Sequence, residues 1–190
     1  DVFTVCFLGT FSKHFDLSTS IAAARKLQQA GSKMRFVLCG DGDYLDDCRQ
    51  SASDCRNIIF PGWIDEAKMF ILLRRSSVGL NPIIDRYDFL ATINNKAVEY
   101  MSAGLPIVSC PRKGVLFDLI HSEKFGESFE YGNSEDLARI LMYLSHHLDI
   151  CAEMSRNAKR LFSQKYNADL VYTEMIGHLE KILMECKRKH

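Results

Sequence analysis

Short apolar runs able to be buried on both faces alternate along this chain with amphipathic stretches, and that alternation leaves few folds open. Val2 to Leu8, Met34 to Cys39, Asn57 to Phe60, Val78 to Asn81, Leu105 to Ser109 and a weaker Glu127 to Tyr131 read as strands. Several lack the polar alternation of a sheet with one wet face, so they belong in a parallel sheet covered on both sides. Helical patterns lie between them: Ser18 to Ala30, Asp43 to Ser53, Asp65 to Arg75, Asn95 to Ala103, Val115 to His121 and Ser134 to His147. Such alternation implies right-handed crossovers and a doubly wound, Rossmann-like α/β sheet of about six strands.

After Ser134 the strand pattern stops, and helices over 134–147, 150–165 and 168–187 follow. The expected division is a sheet domain over 1–167 and a terminal helix over 168–190. That helix carries Val171, Met175, Leu179, Ile182 and Cys186 on one stripe, which either packs along the sheet or reaches a neighbour outside this sequence. The ending "CKRKH" is expected to complement the helix dipole in solvent.

Length and composition narrow the classes. At 190 residues one domain is expected, and 24 basic against 24 acidic side chains give no net field to draw nucleic acid or acidic lipid. The seven cysteines form no Cys-x-x-Cys pair and no zinc spacing with histidine, so a reducing, cytoplasmic setting is expected, with no metal and no resident cofactor. The chain opens inside a strand pattern without methionine, as expected of a part of something longer.

Three expected strands end in glycine, at Gly9, Gly40 and Gly62, on the sheet edge where open α/β folds hold ligands. "GDGDYL" lacks the third glycine of a dinucleotide fingerprint and sets Asp41 and Asp43 where a pyrophosphate would be repelled. No P-loop and no Gly-x-Ser-x-Gly elbow is present. The informative stretch is "NNKAVEYMSAGLPIVSC", a helix capped by Asn94, stopped by Gly104 and followed by a buried strand. Lys96 opposes the dipole at its positive end unless an anion sits there. Glu99 lies about 6 Å along the axis from Asn95, the distance from a nucleotide's diphosphate to its ribose hydroxyls. The competing reading is an ordinary Lys96–Glu99 salt bridge on a wet face.

With "FLGTFSKHFDL", "VLCGDGDYLDDC", "NIIFPGWID" and "NKAVEYMSAGLPIVS" in this order, the whole chain resembles the carboxyl-terminal, donor-binding half of a GT-B glycosyltransferase of the retaining group 1, or family 4, type. The last block is similar to the family's Glu-Ala-Met-Ala-x-Gly-x-Pro-Val-Val helix, and some branches carry the Asn-Lys-x-x-Glu-Tyr form seen at Asn95, Lys96, Glu99 and Tyr100. The resemblance implies that Glu99, matching the second glutamate of Glu-x7-Glu, binds the ribose. It implies that Ile93, Asn94 and Asn95 meet the diphosphate and sugar, that Trp63 and Ile64 lie against the base, and that the phosphates pass over Gly9. Two departures stand out. Ala91 takes the place of the first glutamate, and Thr10 that of the first-loop arginine, while the usual lysine position falls at His14 or Phe15. Lys13, His14 and Lys96 are then expected to form a substitute cationic cradle.

The resemblance implies a hexosyltransferase of polysaccharide biosynthesis that uses a nucleotide-diphosphate sugar and is completed by an amino-terminal domain outside this sequence. Residues 168–190 would pack toward that domain, which could also hold the enzyme at the inner face of a membrane. The fragment alone would bind donor without turnover, and the acceptor and catalytic groups stay unassigned. A non-catalytic scaffold and a nucleotide-sugar epimerase of the same architecture are the alternatives.

Overall fold

The computed structural model of the chain describes residues 2–187, so the basic ending expected at 188–190 lies outside the described residues. Six strands form one sheet in the order β3-β2-β1-β4-β5-β6, every neighbouring pair parallel. They are β1 (Thr4–Leu8), β2 (Arg35–Cys39), β3 (Ile58–Gly62), β4 (Val78–Pro82), β5 (Ile107–Cys110) and β6 (Gly126–Ser128). β6 starts and ends earlier than its sequence pattern suggests, and Phe129 just beyond it is buried in the core.

The sheet separates two apolar layers. On one face α1 (Leu17–Gln29), α2 (Leu45–Ser51) and α7 (Ser134–His146) cover Val5, Phe7, Phe36 and Leu38. On the other, α3 (Glu66–Arg75), α5 (Asn95–Ala103), α6 (Val115–Glu123) and α8 (Leu148–Leu161) cover Cys6, Leu8, Val37 and Ile107. Burial of alternate residues toward opposite layers is what made these strands look apolar throughout. A single turn of helix, α4 (Tyr87–Leu90), was not legible in the sequence, since four residues carry no periodicity.

β1 and β4 pair only at Val5–Val78 and Cys6–Gly79, then part. The parted carboxyl ends are joined by one side chain: the fully buried Tyr100 hydroxyl accepts from the Leu8 amide and donates to the Leu80 carbonyl, both at 3.2 Å. Its ring lies flat against Gly79, where any Cβ would overlap it. This seats α5 over the point where strand order reverses, the place where open α/β sheets hold ligands.

After α8 the chain makes a π-helical turn at Phe162–Tyr166 and enters α9 (Ala168–Lys187). α9 packs closely only on that turn, and Val171, Met175, Leu179 and Ile182 are all exposed. The stripe is therefore not packed along the sheet. Of the cysteines, Cys186 on α9 is exposed and the other six are buried.

Two outcomes follow from this arrangement. Tyr100→Phe leaves a buried amide and a buried carbonyl without partners and should cost ~2 to 4 kcal/mol in urea unfolding; a smaller loss would mean the hydroxyl is dispensable. Truncation before Ala168 should move the thermal midpoint by no more than ~2 °C, since no core contact is lost.

Candidate functional site

Three strand ends are laced together at the carboxyl edge. The Gly9 amide donates to the Cys39 carbonyl at 3.0 Å and the Gly40 amide to the Gly62 carbonyl at 2.9 Å. Gly9 (φ +152°) and Gly40 (φ +139°) occupy backbone that other residues rarely adopt, and each lacks room for a side chain: a Cβ on Gly40 would strike the Gly9 carbonyl, and one on Gly9 the Lys96 amine. The chain can thus turn abruptly, leaving a cleft of about 420 Å³ above the strand ends.

The cleft brings together Gly9, Thr10, Gly40, Trp63, Ile64, Asn95, Lys96 and Glu99. It also gathers Leu8, Cys39 and Met69, which the sequence did not single out, and Asp41, which the sequence marked as repelling a dinucleotide's pyrophosphate. Trp63 stands at its rim, 76% exposed, an unusual position for a large apolar ring. Asn94 sits behind the cleft and caps α5, its side-chain oxygen accepting from the Ala97 amide at 3.1 Å. Its amide nitrogen donates to Asn81 Oδ1 at 2.9 Å, and the fully buried Asn81 donates on to Ser109 Oγ at 3.3 Å. This buried relay fixes the amino end of α5, and the polar Asn81 and Ser109 within apolar strands were its only signal in the sequence. Ile93 packs into the second apolar layer.

Lys96 is the unusual group. Its side chain is only 8% exposed and runs under the first loop, where Nζ donates to the Leu8 carbonyl at 2.5 Å. Nζ also lies 4.2 Å from the Phe15 ring centroid and 4.7 Å from that of Phe7, so two ring faces and a carbonyl surround it. Burial pulls its pKa down to about 8, with Glu99 opposing the shift. Glu99 is half-buried and its pKa is raised, by burial first, with Lys96 countering it. Each group therefore favours the charge of the other, yet the lysine donates to backbone. The wet-face salt bridge is not what the structure holds.

Lys13 and His14 lie elsewhere. Lys13 lines a neighbouring hollow with Asp16, Tyr44 and Tyr131, and the His14 ring packs edge-on against Phe89 at 5.3 Å. Ala91 is exposed at the end of α4, Asp88 pairs with Arg86, and Asp85 pairs with Lys113 at 2.7 Å. Both aspartates near Ala91 thus stand in ion pairs. Among the described residues no group of three His, Cys, Asp or Glu side chains is disposed to hold a metal ion.

Glycine-ended strands, a switch-point cleft, a helix amino terminus and a half-buried carboxylate one turn on define one half of a GT-B architecture. The chain belongs to the glycosyl transferases of group 1, whose family model matches residues 2–147. Compared by sequence with curated proteins, the chain finds no match. Among solved structures it is similar to Anabaena HepE in complex with UDP, with a TM-score of 0.80 and 19% identity over 95% of this chain and 49% of that one. Sucrose-phosphate synthase from Thermosynechococcus elongatus gives a TM-score of 0.81 at 17% identity, covering 98% of this chain and 46% of that one. The C-terminal domain of the group 1 glycosyl transferase LpcC from Francisella tularensis gives 0.72 at 18% identity, covering 87% of both chains. The chain thus spans about half the length of HepE and of the synthase, and nearly all of the isolated LpcC domain.

The pKa of Lys96 gives a sign that can be checked. Between about 8 and the ordinary 10.5 the unfolded chain holds a proton that the folded chain has lost, so this residue adds stability as pH rises through that window, by ~3 kcal/mol at most. Buried thiols act oppositely above pH 9, so the comparison is with Lys96→Met. The stability advantage of that variant should shrink between pH 8 and 10.5; a constant difference would show that Lys96 titrates normally.

Proposed function

We propose that the cleft binds a nucleotide-diphosphate sugar and that the chain is the donor-binding half of a retaining glycosyltransferase. The diphosphate lies over Gly9 and the first amides of α5, whose unpaired N–H groups and dipole favour an anion. Glu99 accepts the two ribose hydroxyls, and the base lies against Trp63 and Ile64. The observation that carries this reading is the convergence of Glu99, Lys96 and the α5 amino end in one cleft at the switch point.

Lys96 supplies the cation that Thr10 does not. Its amine rests over Phe15, a position where the family resemblance expects the lysine. With Lys13 and His14 turned to other surroundings, the substitute cradle reduces to Lys96 and helix amides. A diphosphate beside Lys96 would hold its proton, so donor binding near pH 8 should take up a proton. In transfer, the bond from the sugar's anomeric carbon to the diphosphate oxygen breaks while an acceptor hydroxyl enters on the same face, and the hydroxyl's proton passes to the departing phosphate. The negative charge growing on the departing phosphate is met by Lys96 and the α5 amides.

The amino-terminal half, outside this sequence, would supply the acceptor site and receive α9, covering its exposed stripe. This fragment should therefore bind donor and not turn it over. A second reading, a scaffold that has lost donor chemistry, is favoured by Ala91 and by the pairing of Asp85 and Asp88 with other cations.

Calorimetric titration with UDP, GDP and ADP, with and without magnesium, separates the two. One nucleotide should bind without magnesium, Glu99→Ala should abolish that binding, and Lys96→Ala should weaken it by ~1 to 3 kcal/mol, the range for a charged hydrogen bond. Binding of none, both to this chain and to the full-length protein, would leave the scaffold reading.

A further inference from the structure

The chain's formal charge is zero, but its cations are unevenly spread. At the amino ends of β1 and β2, opposite the cleft, an open groove of about 750 Å³ is lined by Arg35, Lys68, Arg74 and Arg75, together with Val2 and Ile71. A second hollow of about 530 Å³ adjoins it through Arg35 and adds Lys33 and Arg56. Asp54 is the one carboxylate lining either among the described residues, and Arg25 holds it at 2.7 Å. Lys68 pairs with Asp65, whereas Lys33, Arg35, Arg56, Arg74 and Arg75 make no ion pair among the described residues.

Helix α3 forms one wall of the groove and adds an apolar element. Leu73 is buried, and Met69 and Leu72 pack inward on the second apolar layer. Phe70 and Ile71 point outward, 58% and 57% exposed, and Ile71 lines the groove together with the exposed Val2. The Arg74 guanidinium sits 5.5 Å over the Phe70 ring. An adjacent aromatic and branched aliphatic pair, flanked by arginines that no carboxylate pairs with among the described residues, suits a bilayer surface. The apolar pair meets the acyl boundary and the guanidinium groups meet lipid phosphates. A nucleic acid duplex, with its bases stacked inside, would satisfy the arginines but not Phe70 and Ile71. The other exposed apolar face, on α9, carries Asp169, Glu174, Glu180 and Glu185 and has no such attraction for an anionic surface.

We propose that α3 and the amino-end groove dock this chain on an anionic phospholipid surface, with Phe70 and Ile71 inserted and Arg35, Arg74 and Arg75 on headgroup phosphates. Because the groove lies at the opposite strand ends from the cleft, docking leaves the donor site open. This inference does not depend on the nucleotide-sugar reading.

The test is co-sedimentation of the protein with vesicles of one-third phosphatidylglycerol and two-thirds phosphatidylcholine, against vesicles of phosphatidylcholine alone. Binding should require the anionic lipid and fall as salt is raised. Arg74→Gln/Arg75→Gln should lower the partition coefficient by about thirtyfold, roughly fivefold for each lost cation. Phe70→Ser/Ile71→Ser should also lower it, while Leu179→Ser/Ile182→Ser on α9 should not. Circular dichroism establishes that each variant is folded. Three outcomes overturn the proposal: no binding to anionic vesicles, binding lost only in the α9 variant, or equal binding to neutral vesicles. Binding to a duplex oligonucleotide with the same affinity, unaffected by Phe70→Ser/Ile71→Ser, would assign the groove to polyanions in general.

Discussion

Everything at the ligand edge depends on how the gap between β1 and β4 is filled. Parallel strands that part expose backbone groups that would otherwise pair, and burying such groups unpaired is costly. Here a phenol from α5 satisfies one group on each strand, and the missing side chain of Gly79 makes room for its ring. One residue thereby closes the core, sets the height of α5 above the sheet, and determines where the first turn of that helix stands relative to Gly9.

The same helix carries a buried lysine next to that hinge of backbone. An ammonium this deep needs compensation, and ring faces plus one carbonyl supply only part of it, as its lowered pKa shows. Such a group is poorly satisfied without an anion nearby. A cation kept in that condition gains more from an arriving diphosphate than a hydrated surface lysine would, because less water has to be displaced from it.

The sheet, its parallel strands and the placing of Glu99 on a capped helix just before a buried strand could be read from the sequence, because each rests on local pattern: two-sided apolar runs, an asparagine cap, a glycine stop. What could not be read rests on contacts distant in the chain. Nothing local to Lys96 shows that its amine lies over Phe7 and Phe15. The direction of Lys13 into a neighbouring hollow is set by how the first loop folds against β4 and α2, not by its place beside His14. The solitary course of α9 was left open for the same reason: an apolar stripe shows that a helix has a buried face in some context, and is silent about which surface buries it.

The burial of six of the seven cysteines has its own practical consequence. Desolvation suppresses thiolate formation at Cys6, Cys39, Cys48, Cys55, Cys110 and Cys151 alike, whereas Cys186 stands in solvent on the outer helix. The native fold is therefore its own single-cysteine variant. A maleimide spin label or fluorophore added to the unmodified protein would report from α9 alone, making that helix the one element whose surroundings can be followed without altering the sequence.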